Sequence, residues 1–129
     1  MFRRVIVWVR PKRRRITQAS KLRYQEHRPE ARRLVQDRVA EFSKFYGVKV
    51  GRISIRNQGT RWGSCSKAGN LNFNYRLALI DLELADYVIV HEICHLLEFN
   101  HSPAFWSLVA KTVPDYRLRR RALKNLKLQ

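Results

Sequence analysis

All five glycines of this 129-residue chain fall between Gly47 and Gly69. Glycine marks turns, bulges and close backbone approaches. A chain with none in its first 46 residues or its last 60 confines its turn-rich, sheet-forming part to the centre. The flanks are then expected to be helical, which makes the fold class α+β.

The local patterns agree. Pro29 suits a first helical position, and Ala31, Leu34, Val35, Val39, Phe42 and Phe45 recur at three- and four-residue spacing. Gly47 is a natural stop, so a helix is predicted over 29–46. Val48 and Val50 alternate, and Ile53 and Ile55 alternate in the opposite phase, with a bulge or bend expected at Gly51. Asn57-Gln58-Gly59 reads as a turn, 60–66 as a strand and 67–70 as another turn. Leu71, Phe73 and Tyr75 alternate with Asn70, Asn72 and Asn74, which predicts a strand with one apolar and one amide face. Asp81 can cap a helix running to about Phe99. Asn100 is suited to the left-handed conformation that ends helices. Ser102-Pro103 starts another helix, which should stop before Pro114. A last basic helix from about Asp115 carries Leu118, Ala122 and Leu126 on one face. Residues 1–10 can form a strand, and 11–28 carry no clear signal. The length fits one domain over 1–129, with a basic segment over 1–28.

Lys and Arg exceed Asp and Glu by 17, unevenly. Residues 1–33 carry net +10, residues 111–129 net +6, and everything between only +1. Basic ends on a near-neutral body attract polyanions, so non-specific nucleic-acid contact is expected, with Arg119, Arg120 and Arg121 as candidates. No recognition-helix or zinc-finger spacing supports sequence-specific reading. The longest apolar run, Val5–Val9, is too short for a membrane span. Two cysteines cannot form a disulfide scaffold, so a cytoplasmic location is expected.

Three of the four histidines lie within eleven residues, as His91-Glu92-Ile93-Cys94-His95 and then His101. His91 and His95 are one helical turn apart and can share an ion. Glu92 can reach a water on that ion without ligating it. A catalytic zinc needs a third protein ligand and an open position. His101 is that ligand if the chain breaks at Asn100 and folds back, with Glu98 and Asp115 as competitors. His27 stands alone and reads as a surface residue. Cys94, among apolar neighbours, reads as core. A Pro-Cys-x-x-Cys element is absent, which excludes a zinc deaminase. Glu98 replaces the metzincin glycine, Met1 is the sole methionine, and no glutamate follows Glu98 to serve as a third ligand from a later helix.

The segments Arg61-Trp62-Gly63-Ser64-Cys65-Ser66, 70–77 and Asp86 to Ser102, followed by Phe105-Trp106 and Pro114-Asp115-Tyr116, resemble the YgjP-like metallopeptidases. The likeness covers roughly residues 30–127, and its separated motifs occur in order. It implies a minimal zincin fold: a small, mostly antiparallel sheet packed on an active-site helix and flanking helices. It also implies one zinc per chain on His91, His95 and His101, and Glu92 as general base. Kinship with the SprT-like and WLM metalloproteases follows, some of which act on proteins crosslinked to DNA. The Arg61–Ser66 motif has two readings. It forms a strand over the cleft where an extended peptide pairs, with Arg61, Trp62, Gly63, Ser64 and Tyr116 as substrate contacts, or Trp62 packs and Gly63 permits close approach. Tyr116 or Arg61 can also serve as oxyanion donor.

The expected function is zinc-dependent hydrolysis of peptide bonds in a protein or peptide substrate. The alternative is a basic nucleic-acid-binding protein with a structural or vestigial zinc site. Four protein ligands favour the alternative, and three plus water favour the enzyme.

Overall fold

The first helix begins eleven residues earlier than the periodicity predicts. In the computed structural model, which describes residues 2–3, 16–126 and 128, α1 spans Gln18–Tyr46. Thr17 is its N-cap, and its hydroxyl accepts from the Ser20 N–H at 3.1 Å. Pro29 therefore lies inside the helix rather than at its start. An internal proline removes one backbone bond, but tertiary contacts hold both halves. Before Pro29, the Tyr24 hydroxyl donates to the Ile55 carbonyl at 2.9 Å, and His27 stacks on Tyr75 at 6.4 Å. After it, Ala31, Val35 and Val39 are buried. Gly47 closes the helix in the left-handed conformation, as predicted.

The sheet has the order β1-β3-β4-β2, with β1 Phe2–Arg3, β2 Ile53–Arg56, β3 Gly63–Ser66 and β4 Leu71–Asn74. β3 pairs antiparallel with β1 and β4, and β2 pairs parallel with β4. Beyond Phe2–Arg3, the strand expected over 1–10 lies outside the described residues. Val48–Val50 is irregular, and Gly51 forms no bulge. The Gly51 N–H instead donates to the Gly69 carbonyl at 2.8 Å, and a Cβ there would meet the Asn70 side chain at 2.4 Å.

Register sorts the side chains into two faces. Ile53, Ile55, Cys65, Leu71 and Phe73 share the core face with Gly63. Ser64, Asn72 and Arg56 share the other, where Arg56 Nε donates to Asn72 Oδ1 at 3.2 Å and Asn72 Nδ2 donates to Ser64 Oγ at 3.3 Å. The predicted division into an apolar and an amide face is observed.

A 3-10 turn, Tyr75–Leu79, leads to α2 Leu82–Cys94, α3 Pro103–Ala110 and α4 Tyr116–Asn125. Asp81 sits at the α2 N-cap but caps with its backbone carbonyl, not its side chain. The α2 helix ends at Cys94 rather than near Phe99. Ser102 and Pro103 start α3 as expected, with the Ser102 hydroxyl accepting from the Phe105 N–H. On α4 the buried position is Leu123, while Leu118 is 62% exposed and Leu126 37%. The helix is rotated from the expected face because Tyr116 and Arg119, which are half-buried, turn inward with Leu123.

The α2 helix is the centre of the molecule. Val88, Ile89, Val90 and Ile93 are all buried, each stabilising by about 1.5–3 kcal/mol. Arg38 of α1 grips Asp86 of α2 with two bonds, 2.8 Å and 2.9 Å, and also reaches the exposed Glu41 at 3.1 Å. Asp86 is mostly buried, so its pair is shielded, whereas the Glu41 pair is screened by solvent. Asp86→Ala should therefore cost about 1–2 kcal/mol in urea unfolding, and Glu41→Ala less than about 0.5 kcal/mol.

Candidate metal centre

His91 and His95 project from the end of α2 and the turn that follows it. The turn is made by three-residue backbone bonds, Leu96 N–H to Ile93 O at 2.9 Å and Leu97 N–H to Cys94 O at 3.0 Å. Such tightening ends a helix without a left-handed residue. Accordingly, no non-glycine residue described has a positive φ, and Asn100 does not play the part expected of it. The outcome is nonetheless the one ligation needs, because the chain folds back and delivers His101.

Ligand atoms of His91, His95 and His101 lie within 4.8 Å of one another. His95 Nε2 is 3.0 Å from His101 Nε2, and His95 Nδ1 is 3.0 Å from the Glu98 carbonyl oxygen. That carbonyl can hold the Nδ1–H tautomer and direct Nε2 toward the cluster. Two ring nitrogens so close require a proton or a cation between them. Glu98 thus contributes its backbone, not its carboxylate. Asp115 is 3.0 Å from Arg119, and neither acid joins the cluster. Cys65 and Cys94 are buried and stand apart from the histidine cluster. His27 is half-buried against Tyr75 rather than fully on the surface.

Burial sets the electrostatics. His91, Glu92 and His95 are fully buried, and His101 is exposed, so the cluster opens to solvent on the His101 side. Burial, reinforced by His95, His101 and Arg120, pushes His91 well below its ordinary pKa and keeps it neutral, the form that ligates. Burial also pushes Glu92 well above the carboxyl range, and the charge of Arg61 partly opposes it. Neither carboxylate oxygen of Glu92 has a hydrogen-bond partner among the described residues, and Oε2 lies 3.7 Å from His91 Nδ1. Three convergent imidazoles beside an orphaned buried carboxylate fit a divalent metal and its water.

The Arg61–Ser66 motif frames this carboxylate. A Cβ on Gly63 would stand 3.2 Å from Glu92 Cγ, 3.3 Å from its Oε2 and 3.2 Å from the Asn72 carbonyl oxygen. Glycine therefore lets β3 close down on Glu92. Asn74 fixes the approach: its N–H donates to the Trp62 carbonyl at 2.9 Å, and its side chain donates to the Arg61 and Gln58 carbonyls. Trp62 is 2% exposed and belongs to the core, which fits the packing reading of the motif. Ser64 faces the amide side of the sheet, away from Glu92. β3 already pairs on both sides at Cys65, with Arg3 and Leu71.

Tyr116 stands over the outer side of the cluster. Its ring stacks on Trp106 at 4.9 Å, and Trp106 stacks on His101 at 5.7 Å. The three candidate arginines separate. Arg119 pairs with Asp115 and donates to the Glu83 carbonyl at 3.1 Å, tying α4 to α2. Arg120 sits over Trp106 at 5.5 Å, and Arg121 lines an outer hollow with Arg117, Arg120 and Lys124. Sequence reasoning missed Trp106, Arg117 and Lys124. The spacing of Arg117, Arg120, Arg121 and Lys124 along one helix was the available signal.

The buried acid gives a stability signature in protein freed of metal by chelation. The folded chain holds the Glu92 proton to higher pH than the unfolded chain does. The associated stability is complete below about 4.5, the ordinary value, and is lost as pH rises through the raised one. Wild type should lose Tm relative to Glu92→Gln as pH rises above that point, read by thermal unfolding across a pH series. A gap that does not change with pH would contradict this environment for Glu92.

The family described as "YgjP-like, metallopeptidase domain" matches residues 3–126. No protein of curated function matches the sequence. Among solved structures, the fold is similar to the crystal structure of the metallopeptidase zymogen of Pyrococcus abyssi abylysin. The TM-score is 0.60 at 24% identity, over 69% of this chain and 87% of that one. At that identity the structural likeness speaks for the fold alone, an α+β metallopeptidase fold. The family match spans nearly the whole chain, its helices, its sheet and all three histidines, and the protein is a member of the YgjP-like metallopeptidase family.

Proposed function

We propose that the chain is a zinc-dependent peptidase in which His91, His95 and His101 hold one zinc and Glu92 is the general base. The observation that carries this reading is a fully buried carboxylate, with no hydrogen-bond partner among the described residues, beside three convergent imidazoles. A structural zinc site uses four protein ligands and has no need of such an acid. Among the described residues the cluster has three. That difference favours hydrolysis over the alternative of a basic nucleic-acid-binding protein with a structural zinc.

Zinc bound there supplies Lewis acidity toward a carbonyl oxygen and a more acidic water. Glu92 takes a proton from the attacking water at a carboxylate oxygen and passes it to the amine leaving group. Gly63 and the Asn74-braced loop hold the strand against Glu92 and limit its rotamers. The Glu98 carbonyl orients His95, and the Phe105 ring, stacked on His95 at 4.4 Å, closes the apolar wall. Peptide substrate enters from the exposed His101 side, over Trp106 and Tyr116. A chain with only two cysteines, both buried, suits a reducing, cytoplasmic setting. No helix among the described residues is long and apolar enough to cross a membrane.

Metal analysis combined with turnover of a peptide library tests the assignment. His101→Ala should lose zinc on dialysis, whereas Glu98→Ala and Asp115→Ala keep it. Glu92→Gln should keep zinc and lower kcat by at least about 100-fold, the usual range for a general base. Full zinc content in His101→Ala, or full turnover in zinc-loaded Glu92→Gln, would overturn the corresponding role.

A further inference from the structure

The cations of α4 fall into two groups. Arg119 faces inward and is held by Asp115 and the Glu83 carbonyl. Arg117, Arg120, Arg121 and Lys124, at spacings of three, four and seven, surround a hollow of about 310 Å³. None of these four makes an ion pair with a described residue. Four like charges on one helical face repel one another, and an anionic ligand relieves that repulsion.

The face is continuous with the metal centre. Arg117 also borders a second hollow, of about 430 Å³, that begins at His101 and passes Trp106 and Tyr116. Its floor is the ladder of stacked rings from His101 through Trp106 to Tyr116. The guanidinium of Arg120 lies 5.5 Å above Trp106, and that of Arg117 lies 5.5 Å above Tyr116. Such cation–π contacts fix the arginines without neutralising them. Among the described residues, no acidic side chain lines either hollow.

We propose that this face of α4 is a specificity surface for acidic peptide segments lying to one side of the scissile bond. The proposal rests on the peptidase reading and names its substrate class. Two ring spacings, 5.7 Å and 4.9 Å, separate His101 from Tyr116. An extended peptide advances about 3.3 Å per residue, so Arg120, over Trp106, stands roughly two residues from His101 and Arg117, over Tyr116, roughly three. From Arg117 to Lys124 the helix rises roughly 10 Å, which matches about three further residues. An acidic run of that length fits a strip this narrow. A nucleic-acid duplex needs phosphate contacts over a wider surface, and the continuity with the ring ladder serves a chain already held at the metal.

The test uses zinc-loaded Glu92→Gln, which binds without cleaving. Two fluorescein-labelled 12-residue peptides are compared by anisotropy, one with three consecutive glutamates beginning three residues from the central bond and one with glutamines there. The acidic peptide should bind at least about fivefold more tightly at low salt, and the advantage should shrink as salt rises. Arg121→Glu/Lys124→Glu should abolish it with zinc content unchanged. The milder Arg121→Gln/Lys124→Gln should reduce it, which covers the case of a charge-reversed protein that fails to fold. Equal affinity for the two peptides overturns the proposal, as does a preference that survives both double variants. A single-stranded oligonucleotide that loses binding in the double variants, with no glutamate preference at any salt, assigns the face to nucleic acid instead. The wild-type protein is then assayed on both peptides. Binding preference without cleavage of either would refute the peptidase reading and leave the acidic-segment surface standing.

Discussion

The burial of two polar residues, His91 and Glu92, in the apolar last two turns of α2 governs this structure. α2 is covered nearly all round, and its buried stretch runs from Tyr87 to Cys94 with His91 and Glu92 inside it. An unpaired buried polar atom costs about 1–3 kcal/mol. The aliphatic residues of the same helix outweigh that cost, so the fold tolerates a Glu92 carboxylate with no hydrogen-bond partner among the described residues. The consequence is chemical. Without metal, both groups are driven toward neutrality, His91 by loss of its proton and Glu92 by retention of one. A divalent ion favours neutral imidazole as ligand and makes an ionised carboxylate nearby less costly. The same burial therefore lowers the stability of the metal-free protein and suits these side chains to a metal.

Because α2 must be enclosed, the remaining elements act as its walls. α1 fixes one side through the Arg38–Asp86 pair and continues to α3, where the Tyr46 hydroxyl donates to the Leu108 carbonyl at 2.6 Å. The sheet covers another side, and only a glycine at position 63 lets β3 approach the Glu92 carboxylate so closely. The asparagines of the amide face have a part in this as well. Asn74 binds three backbone carbonyls between Gln58 and Trp62 and caps the following 3-10 turn through the Arg76 N–H. A motif that looks like a substrate strand therefore packs largely as a brace against the Glu92 carboxylate.

The features legible in the sequence were those with a short physical range. The histidine pair, the Ser102-Pro103 start, the Gly47 stop and the two-faced strand at 71–74 each depend on neighbours within one or two turns. Two of the three errors originate in tertiary contact. Pro29 reads as a helix start until Tyr24 and His27 are seen to hold an earlier turn on β2 and Tyr75. Leu118, Ala122 and Leu126 form a plausible apolar face until Tyr116 docks on Trp106 and Arg119 on the Glu83 carbonyl of α2, which rotates α4 so that Leu123 points inward. Asn100 was expected to break the helix by its own backbone preference, yet three-residue bonding after Cys94 does so first. In α1 and α4 a side-chain contact distant in sequence outweighed a local propensity worth at most a few kcal/mol, whereas after Cys94 local backbone bonding did so.

Net charge has the same double meaning. A total of +17 states that polyanions are attracted, but it does not say which cations are available to them. The structure divides neighbours that the sequence presents as one run. Arg119 is a fastener between helices, while Arg120 and Arg121 face outward with Arg117 and Lys124. The division follows from helical geometry, because residues one apart point about 100° away from each other and residues three or four apart share a face. Once Tyr116 is stacked on Trp106, the direction of α4 is fixed. The outward face must then continue the line of rings that starts at His101. The contact that sets the helix in place thus also brings its charge to the entrance of the metal centre.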